Sequence, residues 1–220
     1  MIRIDNVSVS GWVAAIRGMR NPMNSHDKSD SGLTVMNPYD VEFGYEPNYD
    51  YIIGENDLKL MKSLSKAGND HAKFLRMINV TVDITAPLYW WKEFDTYKVG
   101  TVANSCSTMH KIHAKEFELS DFSMEHLNAF STKLLVDTID ELNYNREKFL
   151  ETKNKAYWWQ MIQLLPSSYN QKRTVQLNYA VLKNMYHARK AHKLDEWRAF
   201  CEWMKKLPYF KEICMEVTDK

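Results

Sequence analysis

Two stretches of this chain carry side chains that could do chemistry together. The segment 97–108, YKVGTVANSCST, is small, hydroxyl-rich and follows an aromatic run. Such a loop can wrap a nucleotide with backbone N–H groups and hydroxyls, or it can simply connect two elements. Within it, Cys106 becomes a nucleophile if Lys98, His110 or His113 lowers its pKa; an inert thiol is the alternative. The second stretch reads as a helix over 174–188. There Asn178, Leu182, Met185 and Arg189 recur at i, i+4, i+7 and i+11, so they share one face. Leu177, Val181, Asn184 and Ala188 form the neighbouring face. Amides and a guanidinium beside apolar stripes either bond one helix to another or hold a ligand. The amides would suit a heterocycle edge and the arginine a phosphate.

Several chemistries are excluded. No P-loop, no G-x-G-x-x-G and no G-x-S-x-G occurs, and seven glycines leave little room for a Rossmann site. The histidines at 26, 71, 110, 113, 126, 187 and 192 make no tight ligand set; His110 and His113 could share a helix face but lack a carboxylate on the same element. Cys106, Cys201 and Cys214 are widely spaced, with no C-x-x-C, so neither a disulfide framework nor a zinc site is expected.

The elements that must position these residues follow from periodicity. Residues 2–9 alternate as a half-buried strand, Gly11 breaks them, and a short helix over 12–19 follows. The polar segment 21–32 reads as a loop, or alternatively as a lid over a site. Segment 39–51, rich in tyrosine and acid, shows no period. A helix begins near Asn56 and stops at Gly68, with a turn or two over 69–75. Ile78, Val80, Val82 and Ile84 alternate strictly in the clearest strand of the chain, and Ala86-Pro87 leads into a helix over 88–94. From an N-cap at Ser123, the stripe Leu127, Phe130, Leu134, Leu135, Ile139 and Leu142 marks a long helix. A helix over 154–165 ends at Pro166, residues 167–173 read as a polar loop, and helices over 174–188 and 195–207 follow, with a short one after Pro208. Strands and helices mix first and helices dominate later, which predicts α+β. Trp-Trp occurs at 90–91 and again at 158–159, by coincidence or as two patches of one core.

The composition fits this reading. The chain has 220 residues, 45% hydrophobic and 26% charged, with a net charge of +1. That is enough to bury a core without metal or disulfide, and too balanced to attract nucleic acid or an anionic membrane broadly. There is no apolar signal core at the start and no run approaching the ~20 residues that span a bilayer, so the cytoplasm is the expected compartment. Seven Trp, twelve Tyr, nine Phe and twelve Met suit deep cores, flat ligands and oligomer interfaces.

The order strand, Ala-Pro, aromatic helix, hydroxyl-rich loop over 80–112 resembles the core of the flavin-dependent thymidylate synthases, the ThyX family. The family signature R-H-R-x-x-S-x-N/E-x-x-S-x-R falls on 96–108, where Thr96, Lys98 and Thr108 stand at the arginine positions and Cys106 stands at the serine against the uracil ring. The family's glutamine in the preceding helix falls on Glu93, an arginine before Leu-Pro on Ile162, and a late arginine on Ala180. Leu165-Pro166 is followed at the family spacing by Asn178, Leu182, Asn184 and Arg189, and His71 falls where the family has a histidine upstream of the strand. The resemblance covers about 55–112 and 160–205. It implies one ThyX-like domain with a variable part (1–54), a strand-helix-loop core (55–112) and a mostly helical part (120–220). It implies a homotetramer that binds FAD and a dUMP-like pyrimidine deoxynucleotide, with reduced nicotinamide and methylene-tetrahydrofolate as co-substrates. The reaction would be a C5 one-carbon transfer of dTMP biosynthesis, or a related one. By the same resemblance His71, Lys98, Asn178, Asn184 and Arg189 would meet the flavin, and Glu93, Asn104, Ser105, Cys106, Ser107 and Arg189 the nucleotide. Each missing arginine removes a charge-assisted contact of ~1.5–3 kcal/mol, so ordinary dUMP methylation is not expected. The alternative is a non-catalytic protein of the same fold that binds a nucleotide or a partner.

Overall fold

The structure, a computed structural model, describes residues 2–36 and 49–215. In chain order it comprises β1 (Arg3–Ser10), α1 (Trp12–Arg20), β2 (Gly32–Val35), β3 (Tyr49–Ile52), α2 (Glu55–Lys66) and β4 (Asn79–Pro87). Then come α3 (Leu88–Phe94), β5 (Val102–Ser105), α4 (Thr108–Lys111), α5 (Ala129–Thr152), α6 (Lys155–Leu164), β6 (Asn170–Asn178), α7 (Tyr179–Arg189) and α8 (Asp195–Met204). A 3-10 turn over Ala72–Arg76 precedes β4, and a π-helical turn over Lys211–Met215 closes the described chain. One sheet has the order β1-β4-β6-β5, with β5 antiparallel to β6, and β2 pairs with β3 in a small second sheet. The α+β expectation holds.

Three readings of the sequence are corrected. The loop 167–173 and the start of the 174–188 helix are instead β6, because Gln171, Val175 and Leu177 alternate inward while Lys172, Thr174 and Gln176 point outward. Part of the hydroxyl-rich loop is the strand β5, whose four residues are all exposed at the sheet edge, so no apolar alternation announces it. The long helix starts at Ala129 under an Asn128 cap and not at Ser123; Ser123 instead donates its hydroxyl to Asn170 Oδ1 at 2.9 Å. On α5 only Leu135, Ile139 and Leu142 of the anticipated stripe are buried, while Phe130 and Leu134 are 78% and 60% exposed. The unpatterned reading of 39–48 falls outside the described residues.

The chain forms two compact units. The first comprises Met1–Val7, Thr81–Gln176 and Ala191–Phe200. Its core has two parts. Trp90, Trp91 and Phe94 of α3 pack edge-to-face and tilted against one another and on Trp197 and Phe200, at centroid distances of 4.9–6.4 Å. Leu135, Ile139 and Leu142 of α5 pack with Ile112, Phe117, Phe122 and Met161. The Trp158-Trp159 pair flanks this second cluster, with Trp158 packed on it and Trp159 44% exposed, so the two Trp-Trp dipeptides serve different patches. Across the sheet, Asp83 of β4 accepts from Asn6 (2.9 Å), Lys172 (2.8 Å) and Thr174 (2.6 Å), tying three strands at one point.

The second unit comprises Ser8–Val80, Leu177–Lys190 and Cys201–Lys220. Trp12, Ile16 and Met19 of α1, Met61 of α2, Phe74 and Leu75, and Leu182, Met185 and Tyr186 of α7 supply its core, as helical spacing dictates. Gly11 is required where β1 turns into α1: its φ is +95°, and a Cβ there would lie 2.0 Å from Met77 O. The lid reading of 21–32 is not supported by the bonding of that segment. Arg20, 4% exposed, bonds Asp57, 0% exposed, at 2.6 Å and donates to Ser25 O and Lys28 O. Asp57 in turn accepts from Ser29 Oγ, Ser31 Oγ and the backbone N–H groups of Asp30 and Ser31 at 2.7–3.2 Å. Asp30 answers by capping α2 through the N–H groups of Asn56 and Asp57. The segment is therefore a clasp on α1 and α2.

Candidate functional site

The site begins with the way β6 holds the end of β5. Asn104 and Ser105 stand opposite Thr174 and Arg173 in the antiparallel ladder. The pairing continues one residue further, where Cys106 N–H donates to Lys172 O at 2.9 Å and Cys106 O accepts from Gln171 Nε2 at 2.8 Å. Gln171 is 7% exposed and is itself fixed by Arg173 Nε on its Oε1, and its carbonyl accepts from the Trp91 indole. Arg173 lies 4.2 Å over the Trp91 ring and pairs with Asp95 at 2.7 Å. The aromatic core thus sets Gln171, Gln171 sets the Cys106 backbone, and the Cys106 thiol is left at the surface. The Cys106 backbone N–H belongs to this pairing and is not open to a ligand, which corrects the picture of a loop wrapping a nucleotide with it.

A cavity of about 290 Å³ opens beside this thiol. Cys106, Ser107 and Thr108 form one side, Tyr169 to Lys172 another, and residues of the 111–117 stretch with Asp121 the rest. Ser107 also caps α4, its Oγ accepting from His110 N–H at 3.0 Å. Lys115 is paired with Asp121 at 2.9 Å and Lys172 with Asp83 at 2.8 Å. Each carboxylate raises the pKa of its lysine, so both ammonium groups stay charged through neutral pH. Burial, with the Asp121 charge behind it, raises the Tyr169 phenol, which stays a neutral O–H. Asp83 is held far below the usual carboxylate range by its bonds from Lys172, Thr174 and Asn6.

The structure brings only part of the anticipated set to this cavity. Cys106 and Ser107 line it. Asn104 and Ser105 stand exposed on β5 next to it in sequence. Lys98 lines a different hollow of about 270 Å³ with Asp95, Thr101 and Ala103. Glu93 faces His192 at 3.2 Å. In the second unit, Asn178 is not on a helix face but ends β6 and caps α7, its Oδ1 accepting from Val181 N–H at 3.1 Å. Leu177 likewise lies on β6, so the second face of the anticipated helix begins only at Val181. Asn184 is exposed and Arg189 half-buried on α7. His71 is exposed at the N-cap of the 3-10 turn 72–76, which packs against α7. Of the cysteines, burial pushes the Cys201 thiol up to about 11 and raises Cys214 further, so neither is a nucleophile near neutral pH. Among the described residues no group of three or more His, Cys, Asp or Glu side chains could hold a metal ion, and no helix is long and apolar enough to cross a membrane.

The cavity residues that sequence reasoning did not find are Lys111, Lys115, Tyr169, Gln171 and Lys172. Their signal is weak because β6 reads as a polar loop, and the lysines gain meaning only once that strand lies beside 106–117.

No protein-family model matches this sequence, and no curated protein matches it. The fold does have solved counterparts. The flavin-dependent thymidylate synthase ThyX of Helicobacter pylori, in complex with FAD and dUMP, matches over 98% of this chain and 100% of its own, with a TM-score of 0.63 and 17% identity. A second crystal structure of ThyX from Helicobacter pylori, with FAD and dUMP, matches over the full length of both chains, with a TM-score of 0.65 and 16% identity. The fold is therefore ThyX-like α+β, as the order strand, Ala-Pro, helix implies.

Proposed function

We propose that this chain binds FAD and a pyrimidine deoxynucleotide, dUMP or a close relative, and carries out a flavin- and folate-dependent one-carbon transfer at C5 or a related reaction. The observation that carries this reading is the end-to-end likeness to thymidylate synthases crystallised with both ligands. It is supported by the cavity beside Cys106 and Ser107, the pair aligned with the family's uracil-facing segment.

The residues assigned to the flavin fit it in chemistry. His71 and Asn184 are exposed, and the half-buried Arg189 carries a guanidinium. Asn178 keeps its Nδ2 donor while its Oδ1 caps α7. These groups would hold the isoalloxazine edge and the pyrophosphate. When bound, FAD supplies hydride transfer. The chain's own part is orientation. Gln171 fixes the Cys106 carbonyl, so the thiol is presented from one backbone conformation. Asn104, Ser105 and Ser107 would contact the nucleotide, and Glu93 would orient it. Methylene-tetrahydrofolate and reduced nicotinamide complete the proposed reaction, in a cytoplasmic homotetramer.

The test is direct. Purified protein should show flavin absorption or quench FAD fluorescence on titration, and light scattering should give four chains per particle. Absence of flavin bands together with no FAD uptake refutes the cofactor assignment.

A second reading, a non-catalytic binding or structural protein of the same fold, is favoured by Thr96 and Thr108 at arginine positions. Thr96 donates its hydroxyl to Glu93 O at 2.7 Å, a purely local role. Under that reading thermal shifts are flat across FAD, dUMP, dCMP and folates.

A further inference from the structure

The geometry points to Lys111 and Lys115 as the phosphate-binding groups of the cavity beside Cys106, with a nucleoside monophosphate as the ligand class. This rests on the nucleotide reading above and goes beyond it, because at the arginine positions of the aligned signature Thr96 and Thr108 carry no charge and Lys98 lines a different hollow.

Four observations carry it. First, size: at about 290 Å³ the cavity is at the bottom of the ~300–1,000 Å³ range of small-molecule sites, enough for a mononucleotide and too small for a dinucleotide such as FAD. Second, lining: Ile112, Phe117 and Tyr169 supply an apolar wall for a flat ring, while Lys111 and Lys115 line it together from the 111–117 stretch. Third, charge: Lys111 is exposed and, among the described residues, faces no carboxylate partner, whereas Lys172 is engaged by Asp83. Fourth, a displaceable anion is already present. Asp121 lines the cavity and holds the 64% exposed Lys115 at 2.9 Å, so an incoming phosphate takes the place of a carboxylate on a lysine that stays charged. Asp121 has a second role, accepting from Glu118 N–H at 3.0 Å, which an asparagine can keep.

The two kinds of residue therefore act in opposite directions. Removing the lysine charges weakens phosphate binding; removing the Asp121 charge frees Lys115 and strengthens it. A purely structural role for these residues moves both the same way.

The experiment is calorimetric titration of the full chain with dUMP and with deoxyuridine, and separately with FAD. Wild type should bind dUMP at least about tenfold tighter than deoxyuridine, since charged hydrogen bonds are the strong ones. Lys111→Gln/Lys115→Gln should bring that ratio close to one with deoxyuridine binding unchanged, and Asp121→Asn should widen it several-fold. Equal binding of the two ligands by wild type overturns the inference, as does a ratio that survives loss of both lysines. If the double variant fails to fold, Lys111→Gln alone and Asp121→Asn decide by the same opposition. FAD uptake without a lysine-dependent phosphate preference removes this inference and spares the flavin reading. A lysine-dependent preference without FAD uptake does the reverse, and failure of all three ligands removes both.

Discussion

Asp57→Ala is the most informative perturbation of the second unit. The change deletes a carboxylate that is fully buried and leaves Arg20, 4% exposed, without its counter-charge. Breaking a buried pair from one side costs about 3–5 kcal/mol, because the remaining charge is desolvated and uncompensated. Two backbone N–H groups and two hydroxyls of 29–31 lose their shared acceptor as well. Against a total stability of roughly 5–15 kcal/mol, this is a large fraction. Chemical denaturation should show the loss, and amide exchange should show its location: Asp30 and Ser31 should exchange far faster than in wild type, ahead of the α2 interior. Asp57→Asn should fall between, since an amide oxygen still accepts from the loop but brings no charge. The pH response has a definite sign. Burial opposes ionisation of Asp57, but its bonds from Ser31, Ser29, Arg20 and Asp30 outweigh that and lower its pKa below the ordinary value of 3.8. The folded carboxyl thus holds its proton more weakly than the unfolded one. Its contribution is complete above about pH 4 and is lost as pH falls through the lowered value. A variant within 1 kcal/mol of wild type, with unchanged exchange at Asp30 and Ser31, would refute the clasp.

Further outcomes follow from the same structure. Gln171→Leu leaves the Cys106 carbonyl and the Arg173 Nε without their buried partner, so stability should drop by about 1–3 kcal/mol in a denaturant titration. Gly11→Ala places a methyl 2.0 Å from Met77 O at a φ of +95°, and stability in a denaturant titration should fall by more than the ~1 kcal/mol of an ordinary glycine substitution. Asp83→Ala cuts the link among β1, β4 and β6. Because the folded pKa of Asp83 is strongly depressed, wild type and variant should converge in stability as the solution is acidified below the ordinary carboxylate range. Thr108→Arg restores a guanidinium at the cavity rim and should tighten dUMP binding about tenfold in calorimetry, with no gain for deoxyuridine.

How much the sequence discloses varies by element, for physical reasons. β4 and α3 are legible because Val80, Val82 and Ile84 are all fully buried on one face and Pro87 sits where a helix can begin. α1, α2 and α6 follow from apolar spacing and breakers. β5 leaves no trace because an edge strand with four exposed residues needs no alternation. β6 is hidden because its inward positions include Gln171, a polar residue buried only by virtue of the Cys106 carbonyl and Arg173, partners far away in sequence or known only from the fold. That one error carries Asn178 onto a helix face when it is a cap. The Arg20–Asp57 pair spans 37 residues, and charged side chains are ordinarily surface groups, so nothing local announces it. The ThyX-like order of elements, by contrast, survives low identity because it depends on burial pattern more than on particular side chains. The arginine positions of the aligned signature are Thr96, Lys98 and Thr108, so likeness of fold is not likeness of site.

The proposed binding of a flavin and a pyrimidine nucleotide to this ThyX-like fold has one decisive test. A crystal structure of the full chain grown with FAD and dUMP tests it most directly. Isoalloxazine density should contact Asn184 or Arg189, and a nucleotide should lie beside Cys106 with its phosphate on Lys111 and Lys115. Saturating FAD and dUMP with neither region occupied would contradict it.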